Sequence, residues 1–157
     1  MLYNQYVPDT NPWNKALDLL SRREHSVYEL EQKLKNRLKD LDKAELEKTI
    51  QKLKDQNLLS DERFAAAAIK QKSSQGYGPK YIEMYLNSKN VSSSEYDLES
   101  HNINWQKICE YQISKKLRST EIDFKEREKI SRFLSNRGFN YEIIKSAFTN
   151  LSNDTSE

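Results

Sequence analysis

The side chains that most often carry catalysis or bind metals are scarce in this sequence. It holds two histidines and one cysteine. Acid–base or nucleophilic catalysis needs several titratable groups that converge, and two distant histidines with one cysteine cannot build a zinc site. We predict that His25 and His101 are solvated and that Cys109, on an apolar helical stripe, is a buried small side chain. The sequence therefore predicts neither an enzyme nor a cofactor.

The segment Gln75–Lys80 is the least ordinary stretch, with two of the three glycines and one of the three prolines. It is not a phosphate loop, because no Gly-Lys-Ser/Thr follows. Gly76 can end one helix in the left-handed conformation, Gly78 escapes the steric limits on a residue before proline, and Pro79 can begin the next helix. A tight helix–helix corner explains most of the segment. For Tyr77, an aromatic at an exposed turn, a partner contact is the alternative.

Basic residues cluster where the first helix of each of three predicted units ends. Cations there complement the helix dipole, which is sufficient reason for them. Alternatively, stacked units align the clusters into a basic stripe that faces an acidic partner or phosphates. A later helix has a basic face of its own, for which pairing with acidic neighbours is the cautious explanation. The candidate partner-binding residues are Arg22, Arg23, Lys70, Lys72, Tyr77, Lys80, Lys115, Lys116, Arg118, Arg132 and Arg137, and the candidate structural turn residues are Gly76, Gly78, Pro79 and Gly138.

The composition predicts an all-α protein. Three glycines and three prolines are too few for a fold rich in hairpins. With 36% hydrophobic and 32% charged residues, the chain is lean for a compact sphere and better suited to an elongated array of units that each bury little surface.

Strong N-cap residues mark the predicted helix starts. Ser26 and Glu29 are predicted to satisfy each other's backbone N–H in a capping box, and Ser92 and Glu95 predict a second box ahead of a weaker helix that contains Tyr96 and Leu98. Other starts are predicted at Asn11, Asp42, Ser60, Asn104 and Asn140, and predicted core positions in the first two units include Leu46, Ile50, Leu53, Leu58, Phe64, Ala67, Ala68 and Gln71.

The helical pattern recurs three times. Trp13, Phe64 and Trp105 begin the three rounds, at intervals of roughly 40–50 residues, and Asn90 and Gly138 stand at matching places where left-handed C-caps are expected. One irregular helical bundle is the alternative. We predict an N-terminal tail over 1–10, three-helix repeats over 11–59, 60–103 and 104–151, and a disordered tail over 152–157.

Charge and hydropathy limit the partners and the compartment. The net charge is +2, whereas a protein that coats DNA usually has a larger basic excess, so a protein partner fits at least as well. No apolar run approaches the ~18–20 residues of a membrane helix, and the first residues lack the features of a signal peptide. A lone cysteine forms no intramolecular disulfide, which favours a reducing cytoplasm. We expect a monomer that does not bind membranes.

Three stretches that occur in order together resemble the RecX family, over about residues 13–148. The first is Ala16-Leu17-x-x-Leu20-x-x-Arg23-x-x-Ser26-x-x-Glu29-Leu30-x-x-Lys33-Leu34. The second is Leu58-Leu59-Ser60-Asp61-Glu62-Arg63-Phe64-Ala65, followed by Gly76-Tyr77-Gly78-Pro79-Lys80-Tyr81-Ile82. The third is Lys129-Ile130-x-x-Phe133-Leu134-x-x-Arg137-Gly138-Phe139.

The resemblance implies tandem three-helix repeats in a curved rod that binds RecA and lodges in the groove of its nucleoprotein filament. Family members limit ATP hydrolysis, filament growth and strand exchange in recombination and repair, some also bind DNA, and the family has no catalytic residues to carry over. This sequence departs at Gln56-Asn57 and at Asn90, where glycine is usual, but asparagine tolerates the left-handed conformation. The alternative is a helical module that binds single- or double-stranded DNA without a recombinase partner.

Overall fold

The structure is a computed structural model, and it describes residues 10–154. Over this range the chain forms α-helices and two short 3-10 helices, and no β-strand, so the all-α prediction is confirmed. Within the same range no helix combines the length and the apolar character that a membrane crossing requires. The α-helices are α1 (Pro12–Arg22), α2 (Val27–Arg37), α3 (Lys43–Asp55), α4 (Asp61–Ser74), α5 (Pro79–Ser88), α6 (Trp105–Lys116), α7 (Phe124–Asn136) and α8 (Tyr141–Asp154).

Side-chain caps fix most of the helix starts, as predicted. Asn11 Oδ1 accepts from the backbone N–H of Trp13 at 2.9 Å, and Asn104 Oδ1 accepts from that of Lys107 at 3.0 Å. Each such cap stabilises its helix by about 0.5–2 kcal/mol. The same role belongs to the predicted caps Ser26, Asp42, Ser60 and Asn140 and to Asp123, which was not predicted, while α5 begins at Pro79.

The chain divides into two compact units. The first reaches Ala65 and also includes Lys89–Val91. Its core joins one apolar face from each of α1, α2 and α3, and consists of Ala16, Leu19, Leu30, Leu34, Leu46, Ile50, Leu53 and Leu59.

The predicted core position Leu58 was wrong, because Leu58 is 39% exposed and Leu59 is 2% exposed. The cause is the turn that ends α3. Asn57 takes a left-handed conformation (φ 57°), and the N–H groups of Leu58 and Leu59 both point back to the carbonyl of Leu53. The reversed chain then buries the second leucine of the pair.

The second unit comprises Ala66–Ser88 and the residues from Ser92 onward. Its largest core cluster is built from α6, α7, α8 and the turn before α8, and consists of Cys109, Ile113, Ile130, Leu134, Phe139, Ile144, Ala147 and Phe148. The N-caps of α6 and α8, Asn104 and Asn140, are as predicted. The division into three repeats stays a prediction.

The core face predicted for α4 was wrong at two positions. The buried face of α4 is formed by Phe64, Ala65, Ala68 and Ile69, so Ala67 and Gln71, which we placed in the core, are exposed. The sequence of an alanine-rich helix gives little indication of its buried face. The run Ala65–Ala68 contains no polar residue that would distinguish an exposed position from a buried one.

The weaker helix predicted after Ser92 is replaced by two 3-10 helices, Ser93–Glu95 and Glu99–His101. Local side-chain bonds compete with an α-helix there. Asp97 Oδ1 accepts from the N–H of Glu99 at 3.1 Å, and Ser100 Oγ donates to the carbonyl of Asp97 at 2.7 Å.

The tails predicted at both ends lie mostly outside the described residues. At the C-terminal end, α8 continues to Asp154. Residues 152–154, which we assigned to a disordered tail, are therefore helical.

Candidate partner-binding surface

The turn after α4 presents Tyr77, and its geometry follows from Gly76. Gly76 has φ +88°, its N–H donates to the carbonyl of Ser73, and the N–H of Tyr77 donates to that of Lys72, both at 3.0 Å. This pair of bonds is the Schellman arrangement that ends many helices. The prediction for Gly76 is confirmed.

A second turn, after α7, packs against the first within the same unit. Gly138 has φ +95°, as predicted for a left-handed C-cap. The N–H of Gly78 donates to the carbonyl of Arg137 at 2.7 Å, and that of Lys80 donates to Gly138 at 3.1 Å. A Cβ on Gly78 would lie 2.5 Å from the Gly138 oxygen. Gly78 is therefore needed for this close backbone contact, a reason that sequence analysis did not supply.

The paired turns bring Arg137 onto the ring of Tyr77. The guanidinium carbon lies 4.4 Å from the ring centroid, and Nη1 donates to the carbonyl of Gln75 at 2.9 Å. Tyr77 also stacks on Tyr81, with centroids 4.0 Å apart and 19° between the ring planes. The partner contact suggested for Tyr77 now has a cation and a second aromatic beside it.

Further cations and rings continue this arrangement in both directions. Lys72 Nζ lies 4.7 Å from the centroid of Tyr85, Arg137 lies 5.1 Å from that of Phe133, and Lys116 Nζ lies 4.2 Å from Phe133. We call this surface the cation–aromatic ladder; it consists of Lys72, Tyr77, Tyr81, Tyr85, Lys116, Phe133 and Arg137.

The ladder carries uncompensated positive charge. Among residues 10–154, Lys72, Lys116 and Arg137 form no ion pair with a carboxylate. Contacts with aromatic faces hold a cation by about 0.5–1 kcal/mol each at exposed sites, but they do not neutralise it. The ladder thus presents ordered cations that an anionic group can still pair with.

Four of the predicted partner-binding residues lie in the ladder: Lys72, Tyr77, Lys116 and Arg137. Tyr81, Tyr85 and Phe133 were not predicted as partner-binding residues. The spacing of four between Tyr81 and Tyr85 was a usable signal, since both lie in α5 and residues four apart share a helix face.

The other predicted residues lie outside the ladder. Arg22 pairs with Asp18 at 3.2 Å and Arg23 with Glu29 at 2.7 Å, both in the first unit. Lys115 lies over the ring of Tyr111 at 5.1 Å. Exposed positions are held by Lys70, Lys80, Arg118 and Arg132. A basic stripe that joins these clusters stays a prediction.

One of the two hydrogen bonds predicted for the capping box at Ser26 is present. Ser26 Oγ accepts from the N–H of Glu29 at 3.1 Å. The Glu29 carboxylate, however, binds two cations, Arg23 at 2.7 Å and Lys89 at 3.3 Å. Hydrogen bonds and charge from these cations lower the pKa of Glu29 against the opposing effect of burial.

The predicted solvation of His25 was wrong. His25 is 1% exposed, its Nδ1 lies 3.0 Å from the carbonyl oxygen of Arg23, and its Nε2 lies 2.9 Å from Lys33 Nζ. Burial lowers its pKa, and the nearby Arg23 and Lys33 cations lower it further, so the ring is neutral at pH 7. No local pattern in the sequence indicates this contact, because Lys33 is eight residues away from His25.

The remaining groups considered for chemistry behave as buried or solvated side chains. Cys109 is fully buried, and burial raises the pKa of its thiol to about 12, which leaves it protonated. His101 is exposed as predicted. Within residues 10–154 no three histidine, cysteine or carboxylate side chains stand close enough to hold a metal ion.

Comparison with known proteins identifies relatives over nearly the whole chain. A model of the first three-helix domain of RecX matches residues 13–53, and a model of the third matches residues 106–148. The regulatory protein RecX of Vibrio parahaemolyticus is 32% identical over 152 residues, which cover 95% of this chain and 97% of the relative. That of Pseudomonas fluorescens is 35% identical over 132 residues, covering 82% and 84%.

Two solved structures have a similar fold. The crystal structure of RecX from Lactobacillus salivarius matches with a TM-score of 0.74 and 25% identity, over 89% of this chain and 94% of that one. A second structure of a regulatory protein RecX matches with a TM-score of 0.77, over 88% and 71%. At 20% identity, the second likeness supports the fold alone.

Proposed function

This chain belongs to the RecX family of regulatory proteins, and from that premise we propose that it binds the RecA recombinase and the groove of its nucleoprotein filament. Bound there, it slows ATP hydrolysis, filament growth and strand exchange. The action is steric: the protein, seated along the groove, blocks the closing motion of neighbouring subunits and the path of the exchanging strand.

The cation–aromatic ladder is the observation that supports binding most directly. Aromatic and arginine side chains are enriched where proteins bind one another, and the ladder combines both. Because its cations are already ordered by the rings, less side-chain entropy is lost on contact with an anionic partner. Several weak contacts of this kind along a filament add through effective concentration.

We place this protein in the cytoplasm, as a monomer that regulates by binding and has no enzymatic activity. Among the side chains that could carry catalysis, His25 is enclosed and the Cys109 thiol is protonated and buried, which agrees with regulation by binding.

A sedimentation experiment tests the proposal. RecA filaments on single-stranded DNA are pelleted with the wild-type chain and with the double variant Lys72→Glu/Lys116→Glu. We expect the wild type to co-pellet and the variant to bind on the order of tenfold more weakly. The substitutions replace two ladder cations with carboxylates, which an anionic partner repels.

The matched control is Lys39→Glu/Lys54→Glu, which makes the same change in net charge at two exposed positions of the first unit. It should co-pellet as the wild type does. If the wild type stays in the supernatant at saturating filament, the proposed function is wrong.

A DNA-binding module that acts without a recombinase is the second candidate, and the ladder also favours it. Cations interleaved with aromatic rings are what proteins use to hold single-stranded nucleic acid. This candidate requires tight binding to bare DNA that weakens steeply with salt. The net charge of +2 makes it the weaker of the two.

A further inference from the structure

A concavity of about 540 Å³ opens beside the first turns of α7. Its rim carries four cations and its floor is apolar. Ile130 is 4% exposed, and Phe133 beside it is half-buried. We call this the α7 concavity; its main lining residues are Lys116, Arg118, Lys125, Lys129, Ile130 and Phe133.

The charge of the rim is only partly balanced. Two carboxylates, Asp123 and Glu126, also line the concavity. Asp123 is engaged as the N-cap of α7, where its Oδ1 accepts from the N–H of Glu126 at 2.7 Å. None of the four cations forms an ion pair with any residue from 10 to 154. The rim is therefore net positive around an apolar base.

We infer that the α7 concavity docks an acidic polypeptide segment that carries one large apolar side chain. The apolar side chain would cover Ile130 and Phe133, and flanking carboxylates would pair with the rim. Apolar anchors in pockets ringed by polar contacts are the usual source of affinity in such interfaces. The inference deepens the proposed function, because it names the chemistry of a partner segment.

A nucleic acid fits the same concavity less well. The bases of a nucleic acid are joined by a sugar–phosphate backbone, which offers no apolar group for the floor. This difference favours a polypeptide.

The concavity and the ladder share Lys116 and Phe133. A segment anchored on the floor could therefore extend towards Arg137 and the rest of the ladder without leaving positively charged surface. Such continuity lets a longer acidic segment gain contacts one at a time.

Fluorescence anisotropy with synthetic probes tests the inference without any recombinase. The probes are a labelled peptide in which Asp and Glu flank a single Phe, the same peptide with Phe replaced by Ser, and a single-stranded DNA of equal net charge. We expect the Phe peptide to bind, and the Ser peptide to bind about tenfold or more weakly, because the apolar anchor is lost.

The variant Lys125→Glu/Lys129→Glu should weaken binding of the Phe peptide on the order of tenfold. Both positions are exposed, and acidic residues near the start of α7 suit the helix dipole, so the fold should persist; circular dichroism checks this. The control is again Lys39→Glu/Lys54→Glu, which should bind as the wild type does.

Three results would overturn the inference: no binding of the Phe peptide, equal affinity for both peptides, or an unchanged affinity in the Lys125→Glu/Lys129→Glu variant. Tighter binding of the DNA, abolished by that variant, would assign the concavity to nucleic acid. Because no recombinase is present, failure here is separate from failure of filament binding.

Discussion

At the residue scale, the neutral state of the His25 ring depends on a contact that the neighbouring residues in the sequence do not indicate. If Nδ1–H donates to the carbonyl of Arg23, then Nε2 has no proton and accepts from the ammonium group of Lys33. The ring is thereby fixed as one neutral tautomer. A second proton would place a cation against Lys33 in a buried position, which is unfavourable.

The stability of the protein should therefore fall as the solution becomes acidic. The pKa of His25 in the folded chain lies below its ordinary value of 6.5, so the unfolded chain takes up a proton first. The contribution is complete above about pH 6.5 and decreases as the pH falls towards the folded pKa. Urea unfolding at about pH 7.5 and about pH 5.5 measures the loss.

Two histidine variants provide the control for this effect. In His25→Asn the part of the pH dependence due to His25 should vanish, whereas the exposed His101→Asn should keep it. If wild type and His25→Asn lose the same free energy of unfolding between the two pH values, the assignment to His25 is wrong.

At the element scale, the helix starts and ends were predictable because they depend on neighbouring residues. Asn11, Asn104 and Asn140 bind N–H groups only two or three residues away. Gly138 takes the conformation expected of a C-cap. The α4 face and the segment after Ser92 were mispredicted because there packing and competing local bonds decide.

The contact between the two turns could not be predicted from the sequence. It joins Gly78 to Arg137, residues far apart in the chain, and no local pattern marks such a pair. The ladder depends on this contact, because it places the ring of Tyr77 against Arg137. Individual ladder residues were therefore predictable, but their assembly was not.

Substituting Gly138 should test the paired turns. In Gly138→Ala, a Cβ would have to occupy a left-handed backbone conformation and would overlap the backbone of Tyr81. We expect a loss of more than about 1 kcal/mol in the free energy of unfolding, the ordinary cost of replacing a left-handed glycine being near that value. Chemical denaturation measures it.

Asn90→Gly is the matched control, since Asn90 is also left-handed, with φ 54°. Glycine adopts this left-handed conformation without strain, so the free energy of unfolding of this variant should be close to that of the wild type. A Gly138→Ala variant as stable as the wild type would mean that the two turns are not packed as described.

At the scale of the whole molecule, the proposed function depends on the surface that the chain presents to a partner. The helices bury apolar faces in two core clusters, and we propose that the cations and rings of the ladder in the second unit contact a partner. The family is one of regulatory proteins, and we propose the ladder and the α7 concavity as the surface through which this chain acts. The sequence contained the residues of this surface, but their grouping required the fold.

The rate of ATP hydrolysis by RecA on single-stranded DNA, measured while this protein is added, tests the central claim most directly. We predict that the wild type lowers the rate to a plateau, that Lys39→Glu/Lys54→Glu does the same, and that Lys72→Glu/Lys116→Glu requires on the order of tenfold more protein. An unchanged rate at saturating wild-type protein would contradict the account.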